Sequence, residues 1–283
     1  MKIFKKIKKY YFITYYSFKQ SMTYKFNNLL GVISSIIFLV IIYYMWRAIY
    51  ISSEQFNLNE LQKTLTYVII ITIVSQIVSR NFETDLGNSI VSGKIAIDLI
   101  RPINFFGYCF FRKLGIIILN IIISVIPLLL ISIFWFKIDL ISNFKLFTYF
   151  LISISLSVIL VFIFEFLIGL SSFITHQIFG ISLLKNAIIN VSAGLIIPLK
   201  YYPEVFKNIC SNLPFHAMFT APTSIYLDSI TTTNMLHKLL ILIGFESSHL
   251  ILIMEQIIWI IILSIILIFT WKIAKKKIII QGG

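Results

Sequence analysis

Six long apolar runs leave this chain no water-soluble way to fold. They lie at roughly Leu29–Tyr50, Leu65–Ser79, Ile116–Phe136, Leu146–Leu170, Ala187–Leu199 and Leu250–Trp271. A helix of about 20 residues, rising about 1.5 Å per residue, crosses the roughly 30 Å hydrocarbon core of a bilayer. The second and fifth runs are shorter and carry polar residues, yet all six read as spans. Hydrophobic residues fill 59% of the 283 positions and charged ones only 12%, which excludes an ordinary soluble domain. The chain reads as an all-α integral membrane protein, one transmembrane domain over 1–283.

Charge sets the expected orientation. With six spans, the segments on the side of the two termini hold seventeen of the 24 Lys and Arg residues, and the opposite side holds seven. Positive charge stays inside, so both termini are expected in the cytosol. The net charge of +13 gathers at membrane borders and suits anionic lipid of the inner leaflet rather than nucleic acid. Cys109 and Cys210 fall on opposite sides in this topology, so no disulfide between them is expected. The first 28 residues lack the features of a removable signal peptide.

Residues 1–28 carry a second periodicity. Phe4, Ile7, Tyr11, Tyr15, Phe18 and Met22 recur at steps of four and three, with Lys5, Lys6, Lys8, Lys9 and Lys19 around them. That pattern predicts a basic amphipathic helix lying along the inner membrane surface.

Between the second and third runs, residues 80–114 change character. "SRNFETDLGNSIVSGKIAIDLIRPI" carries two glycines, the acids Glu83 and Asp85, and a short amphipathic piece ending at Pro102. Asp98 and Arg101 are three apart and can pair, a contribution of only about 0.2–0.5 kcal/mol. Pro102 disfavours α geometry at Arg101 and ends the helix there. A short helix held parallel to the membrane suits docking to a cytosolic partner.

Residues 198–248 hold four of the six prolines, Pro198, Pro203, Pro214 and Pro222. The apolar pieces between them are too short to span, and broken backbone at membrane depth persists only when buried in protein or lining a cavity. Short re-entrant or interfacial helices on the outer side are expected, capping a path. Ser153 and Ser157, four apart, allow close helix approach. Glu165 and Glu255 fall inside apolar runs, where a carboxylate is a functional candidate by default. Glu165 is near enough to the inner end to reach interfacial water, and Arg47 is the nearest counter-charge to Glu255 by depth. Pro127 lies within the third run, tolerated in a membrane helix where neighbours satisfy the freed carbonyl.

Several chemistries have no motif here. There is no phosphate loop, no zinc-protease motif and no nucleophile motif, and His176, His216, His237 and His249 lack metal-ligand spacing. An enzyme is not expected, and neither is a bound metal or cofactor.

The order of these features resembles the permease subunits of ABC-2 type ATP-binding-cassette exporters. Ser92, Gly93, Ile95, Leu99, Arg101 and Pro102 match a cytosolic pattern of that family, with Lys94 where relatives often carry an acid. Ile197, Pro198, Leu199, Pro203, Leu213, Pro214 and Phe215 match a second pattern after span five. "FITH" at Phe173–His176 departs from the family and receives no role. The resemblance implies two cytosolic ATPase subunits that bind ATP and Mg, and a second permease chain, identical or homologous. It implies a coupling segment comprising Glu83, Asp85, Gly93, Lys94, Asp98, Arg101 and Pro102, and a path or gate near Glu165, Pro198, Pro203, Pro214, Phe215 and Glu255. Amphipathic, peptide or lipid-like cargo and a bacterial cell membrane follow from the same likeness. Two rivals stay open: an ion-driven transporter or channel using Glu165 and Glu255, and a peptide-binding immunity or sensor protein. Against the first, no internal repeat or matched pair of broken helices is visible.

Overall fold

The computed structural model describes residues 2–52, 57–78, 81–138, 141, 143–229, 235–242 and 247–276. Arg80, the expected start of the connecting segment, lies outside them, as do the "QGG" tail and positions 230–234 and 243–246 of the 198–248 segment. All described elements are helical. They are α1 (Lys2–Met22), α2 (Lys25–Ile51), α3 (Leu58–Val78), α4 (Phe82–Val91), α5 (Ile95–Ile100), α6 (Phe105–Asn120) and α7 (Ile126–Phe134). Then follow α8 (Phe144–Leu170), α9 (Ser172–Thr175), α10 (Phe179–Ser192), α11 (Glu204–Ser211), α12 (Ala221–Tyr226), α13 (Met235–Leu242) and α14 (Ser248–Lys275).

Among the described residues, five stretches are long and apolar enough to cross a membrane: α2, α3 with α4, α6 through α7, α8 with α9, and α14. The expected fifth span differs. Its helix, α10, begins at Phe179 rather than Ala187 and is 14 residues long, about 21 Å of rise. It stops at Gly194, whose φ of +69° is the left-handed conformation that ends helices. The hydroxyl of Tyr67 on α3 donates to the Gly194 carbonyl, 3.3 Å away. Beyond that stop the chain continues to a 3₁₀ turn, Leu199–Tyr201, where Tyr201 joins Tyr50 of α2 and Thr64 of α3 in a hydroxyl triad. The stretch 179–201 therefore runs from the end of the bundle holding α4 to the end holding Tyr50.

α1 is a helix, as its periodicity predicts, and its stripe faces outward: Ile7, Tyr11, Tyr15 and Met22 are exposed. The side chain of Phe4 is outside the described set. A different face docks on α6. Thr14 donates to the Phe111 carbonyl at 3.1 Å and Ser17 to the Arg112 carbonyl at 2.7 Å, while Tyr10 stacks on Phe111. Docking thus leaves the apolar stripe free for an interface.

Residues 81–104 form two helices where one was expected. Asn81, at φ +48°, breaks the line between α3 and α4. α4 buries Phe82, Glu83, Leu86 and Gly87 against the bundle, and Gly93, at φ +72°, turns the chain into α5. Arg101 adopts φ −62°, ψ 138°, the extended geometry a following proline demands. α6 then starts on Asn104, whose side chain accepts the Gly107 N–H at 3.0 Å. Losing that cap in Asn104→Ala should cost about 1 kcal/mol, read from the denaturant midpoint.

Two prolines are accommodated by the same device. The π-turn Ile121–Val125 precedes Pro127, and the π-turn His216–Thr220 precedes Pro222. In each, the last N–H bonds five residues back, Ile126 to Ile121 and Ala221 to His216. A proline ring normally clashes with the carbonyl four residues earlier; widening the preceding turn relieves this. The second device keeps the chain helical from Pro214 to Tyr226, with 215–225 fully buried. The ring of Phe215 meets Phe164 and that of Tyr226 meets Phe150, so this helix runs alongside α8. Pro198 is buried too, whereas Pro203 is exposed just before α11.

Candidate functional site

Four charged side chains meet inside the bundle where α4, α6, α8 and α10 converge. Lys113 Nζ of α6 lies 2.9 Å from Glu165 Oε2 of α8, and Lys185 Nζ of α10 lies 2.7 Å from Glu83 Oε1 of α4. Lys185 also stands 3.9 Å from Glu165 Oε1, joining the two pairs. All four side chains are at most 1% exposed. Polar groups complete the set: Ser182 donates to Glu83 at 2.6 Å, and the Phe82 N–H donates to Glu165 at 3.1 Å. Glu165 thereby supplies a carboxylate to the N-terminus of α4 from a different helix, where negative charge is favoured.

Among the described residues two acids meet two bases, and that pairing offsets the cost of burial. An ion taken out of water costs several kcal/mol unless it is paired and hydrogen-bonded. Such pairing adds little net stability, but it makes the four helices interdependent. α4 cannot shift without carrying Lys185 of α10 or stranding a charge. Glu165, expected to reach interfacial water, instead holds Lys113. Glu83, assigned to the coupling segment, faces inward. Asp85 sits at the rim, 3.4 Å from Arg112.

The remaining residues of the expected coupling set lie outside this core. Asp98 and Arg101 pair at 3.1 Å, and the Arg101 guanidinium covers Tyr108 at 4.8 Å. Ile95 anchors α5 in the core, while Ile97 and Ile100 are 65% and 82% exposed. Lys94 and Pro102 are exposed as well. A groove of about 710 Å³ runs between this tip and α1, lined by Phe12, Tyr16, Lys94, Ile97, Asp98 and Arg101 among others.

A second cluster fixes the broken segment. Gln256 Nε2 of α14 reaches the Ala217 carbonyl at 2.9 Å, Ser157 Oγ at 2.9 Å and the Ser153 carbonyl at 3.2 Å. The close approach expected at Ser153 and Ser157 is made by α14, and Gln256 is what ties it. Glu255 pairs with His216 Nδ1 at 3.3 Å, not with Arg47, which is exposed on α2. Of the expected path residues, Glu255 meets His216, the residue after Phe215, Glu165 belongs to the ion network, and Pro198 and Pro203 lie towards the Tyr201 end. Cys109 and Cys210 are both free, and among the described residues no cluster could hold a metal.

Sequence reasoning passed over Lys113, Lys185, His216 and Gln256. The available signal was that a carboxylate inside an apolar run persists only with a partner, and Lys113 and Lys185 stand beside such runs. Taken together, fold and site define a multi-pass helical membrane protein whose connecting helices are bound to its core by buried charge. The chain belongs to the ABC-2 family of transporter proteins, whose family model matches residues 36–282. No curated protein matches the sequence.

Proposed function

We propose that this chain is the permease subunit of an ATP-driven exporter in a bacterial cell membrane, with α5 as its coupling helix. In this reading α10 and its extension to Tyr201 make a sixth crossing, so both termini lie in the cytosol. The buried helix Pro214–Tyr226 is re-entrant and gates release. Two cytosolic ATPase subunits supply ATP and Mg chemistry, a second permease chain completes the path, and this chain catalyses nothing itself.

The observation that carries the proposal is the contrast between the two faces of residues 81–104. One face offers Ile97 and Ile100 beside the Asp98–Arg101 pair, an apolar centre with charges at its edge, as protein interfaces are built. The other face is bound through Glu83 to Lys185 and through Phe82 to Glu165. Force applied at the tip reaches α8 and α10 by this route.

Exchanging the paired charges, Asp98→Arg with Arg101→Asp, keeps their mutual attraction but inverts the field a partner meets. Pull-down from native membranes in mild detergent should yield stoichiometric ATPase subunit with the parent chain and at least tenfold less with the exchange. Ile97→Asp should do the same. Undiminished ATPase capture by both variants would remove α5 from the coupling role.

A further inference from the structure

The cleft between the α1–α2 corner and the third span plays no part in the features described above. It encloses about 640 Å³, lined by Asn27, Asn28 and Ser34 of α2, Gln76 of α3, and Asn120 and Ser124 beyond them. None of its lining residues is charged. That volume lies within the roughly 300–1,000 Å³ of small-ligand pockets. Carboxamides and hydroxyls gathered inside apolar helices are costly unless something answers their hydrogen bonds.

One of them is unanswered. Asn120 is 1% exposed; its amide N–H donates to the Gln76 carbonyl, but no donor among the described residues reaches its Oδ1. A buried acceptor left so costs about 1–3 kcal/mol. Asn120 also opens the π-turn Ile121–Val125, whose Ser124 lines the cleft, and π-turns gather at functional sites. Gly31 opens the α2 wall, since a Cβ there would meet nothing within 4 Å. Gly31 stands six residues into α2 and Gln76 two residues from the end of α3. In the proposed orientation the cleft is therefore at the level of the inner leaflet.

We infer that this cleft binds the uncharged, hydroxyl-rich head group of a membrane amphiphile, its tail leaving past Leu30 and Ile123. Hydroxyls donate and accept, which matches an Asn, Gln and Ser lining. Among the described lining residues a phosphate would find no cation and an ammonium no carboxylate, so either would lose hydration there uncompensated. The inference rests on the transport reading in placing the cleft at the inner leaflet and in taking that amphiphile as cargo.

The test uses the full chain in lipid nanodiscs with a fluorescent monoglucosyl diacylglycerol as probe. Saturable binding is expected, displaced at least tenfold better by unlabelled glucosyl lipid than by phosphatidylglycerol or diacylglycerol with the same chains. Gly31→Leu and Ser34→Leu fill the cleft and should each weaken binding at least tenfold. Leucine is the better helix former at both positions, so the unfolding midpoint should not fall. Absent saturable binding, equal displacement by phosphatidylglycerol, or unchanged affinity in both variants would overturn the inference. ATPase capture, measured on the same preparations, separates the two readings. Captured ATPase without glucosyl-lipid binding removes the cleft alone; glucosyl-lipid binding without any ATPase removes the exporter reading and leaves the cleft.

Discussion

Replacing Lys113 with Met should cost about 3–5 kcal/mol of stability, the usual effect of stranding one member of a buried ion pair. Glu165 would keep its Phe82 N–H but lose the cation at 2.9 Å, with Lys185 standing 3.9 Å away. Adding Glu165→Gln should recover most of the loss. The neutral amide still accepts from Phe82, and the cluster is left with the balanced pair Glu83 and Lys185. Lys185→Met should behave alike and be rescued by Glu83→Gln. The crossed combination, Lys113→Met with Glu83→Gln, should recover less, because Lys185 and Glu165 must close a longer gap. Equilibrium unfolding in mixed micelles reads these five variants, and the single variants Glu165→Gln and Glu83→Gln close the double-mutant cycles. A Lys113→Met protein within about 0.5 kcal/mol of the parent, the range of surface substitutions, would show that this charge is not buried.

The arithmetic of rise and hydrocarbon thickness found the long helices, because an apolar run has few alternatives in a membrane. It placed the ends of α2, α8 and α14 to within about four residues. It failed at Ala187–Leu199, where hydropathy saw one run and the backbone stops at Gly194. A left-handed glycine leaves no mark on an apolar average, and Lys185, counted only for topology, belongs to the helix proper. The site was harder still. Asp98 and Arg101 are three residues apart and could be paired on paper. Lys113 and Glu165 are separated by 52 positions, and their meeting depends on how α6 packs against α8. The carboxylates announced themselves by being in apolar sequence; their partners were legible only through the requirement that each buried charge be answered.

The two π-turns show a related economy. Pro127 and Pro222 stand out in the sequence. Each follows a widened turn, and polar residues stand at or within that turn. The first is opened by Asn120 at the proposed head-group cleft. The second carries His216 and Thr220, which bond Glu255 and the Ala193 carbonyl. Tolerance of proline and placement of polar groups are one local feature in both.

Gly115→Val should release α1 from the bundle. A Cβ at Gly115 would lie 2.4 Å from the Thr14 carbonyl oxygen, 2.8 Å from the Ser17 side chain and 2.9 Å from the Phe18 nitrogen. The first and last are backbone atoms of α1 and cannot rotate aside. Overpacking commonly costs about 1–3 kcal/mol, and here the strain falls on a seam whose hydrogen bonds at Phe111 and Arg112 both depend on close approach. α1 can yield by lifting away, so the spans should stay folded while the seam opens. A Ser17→Cys reporter, buried in the parent fold, should react with a soluble maleimide at least tenfold faster when Gly115 is Val. Gly115→Ala should fall between. The second consequence reaches function. Phe12 and Tyr16 form one wall of the groove beside Lys94 and Arg101, so α5 would lose its neighbour and ATPase capture should fall with it. Faster labelling with undiminished capture would confine α1 to anchoring, and unchanged labelling would mean that the α1–α6 seam is not closed in the membrane.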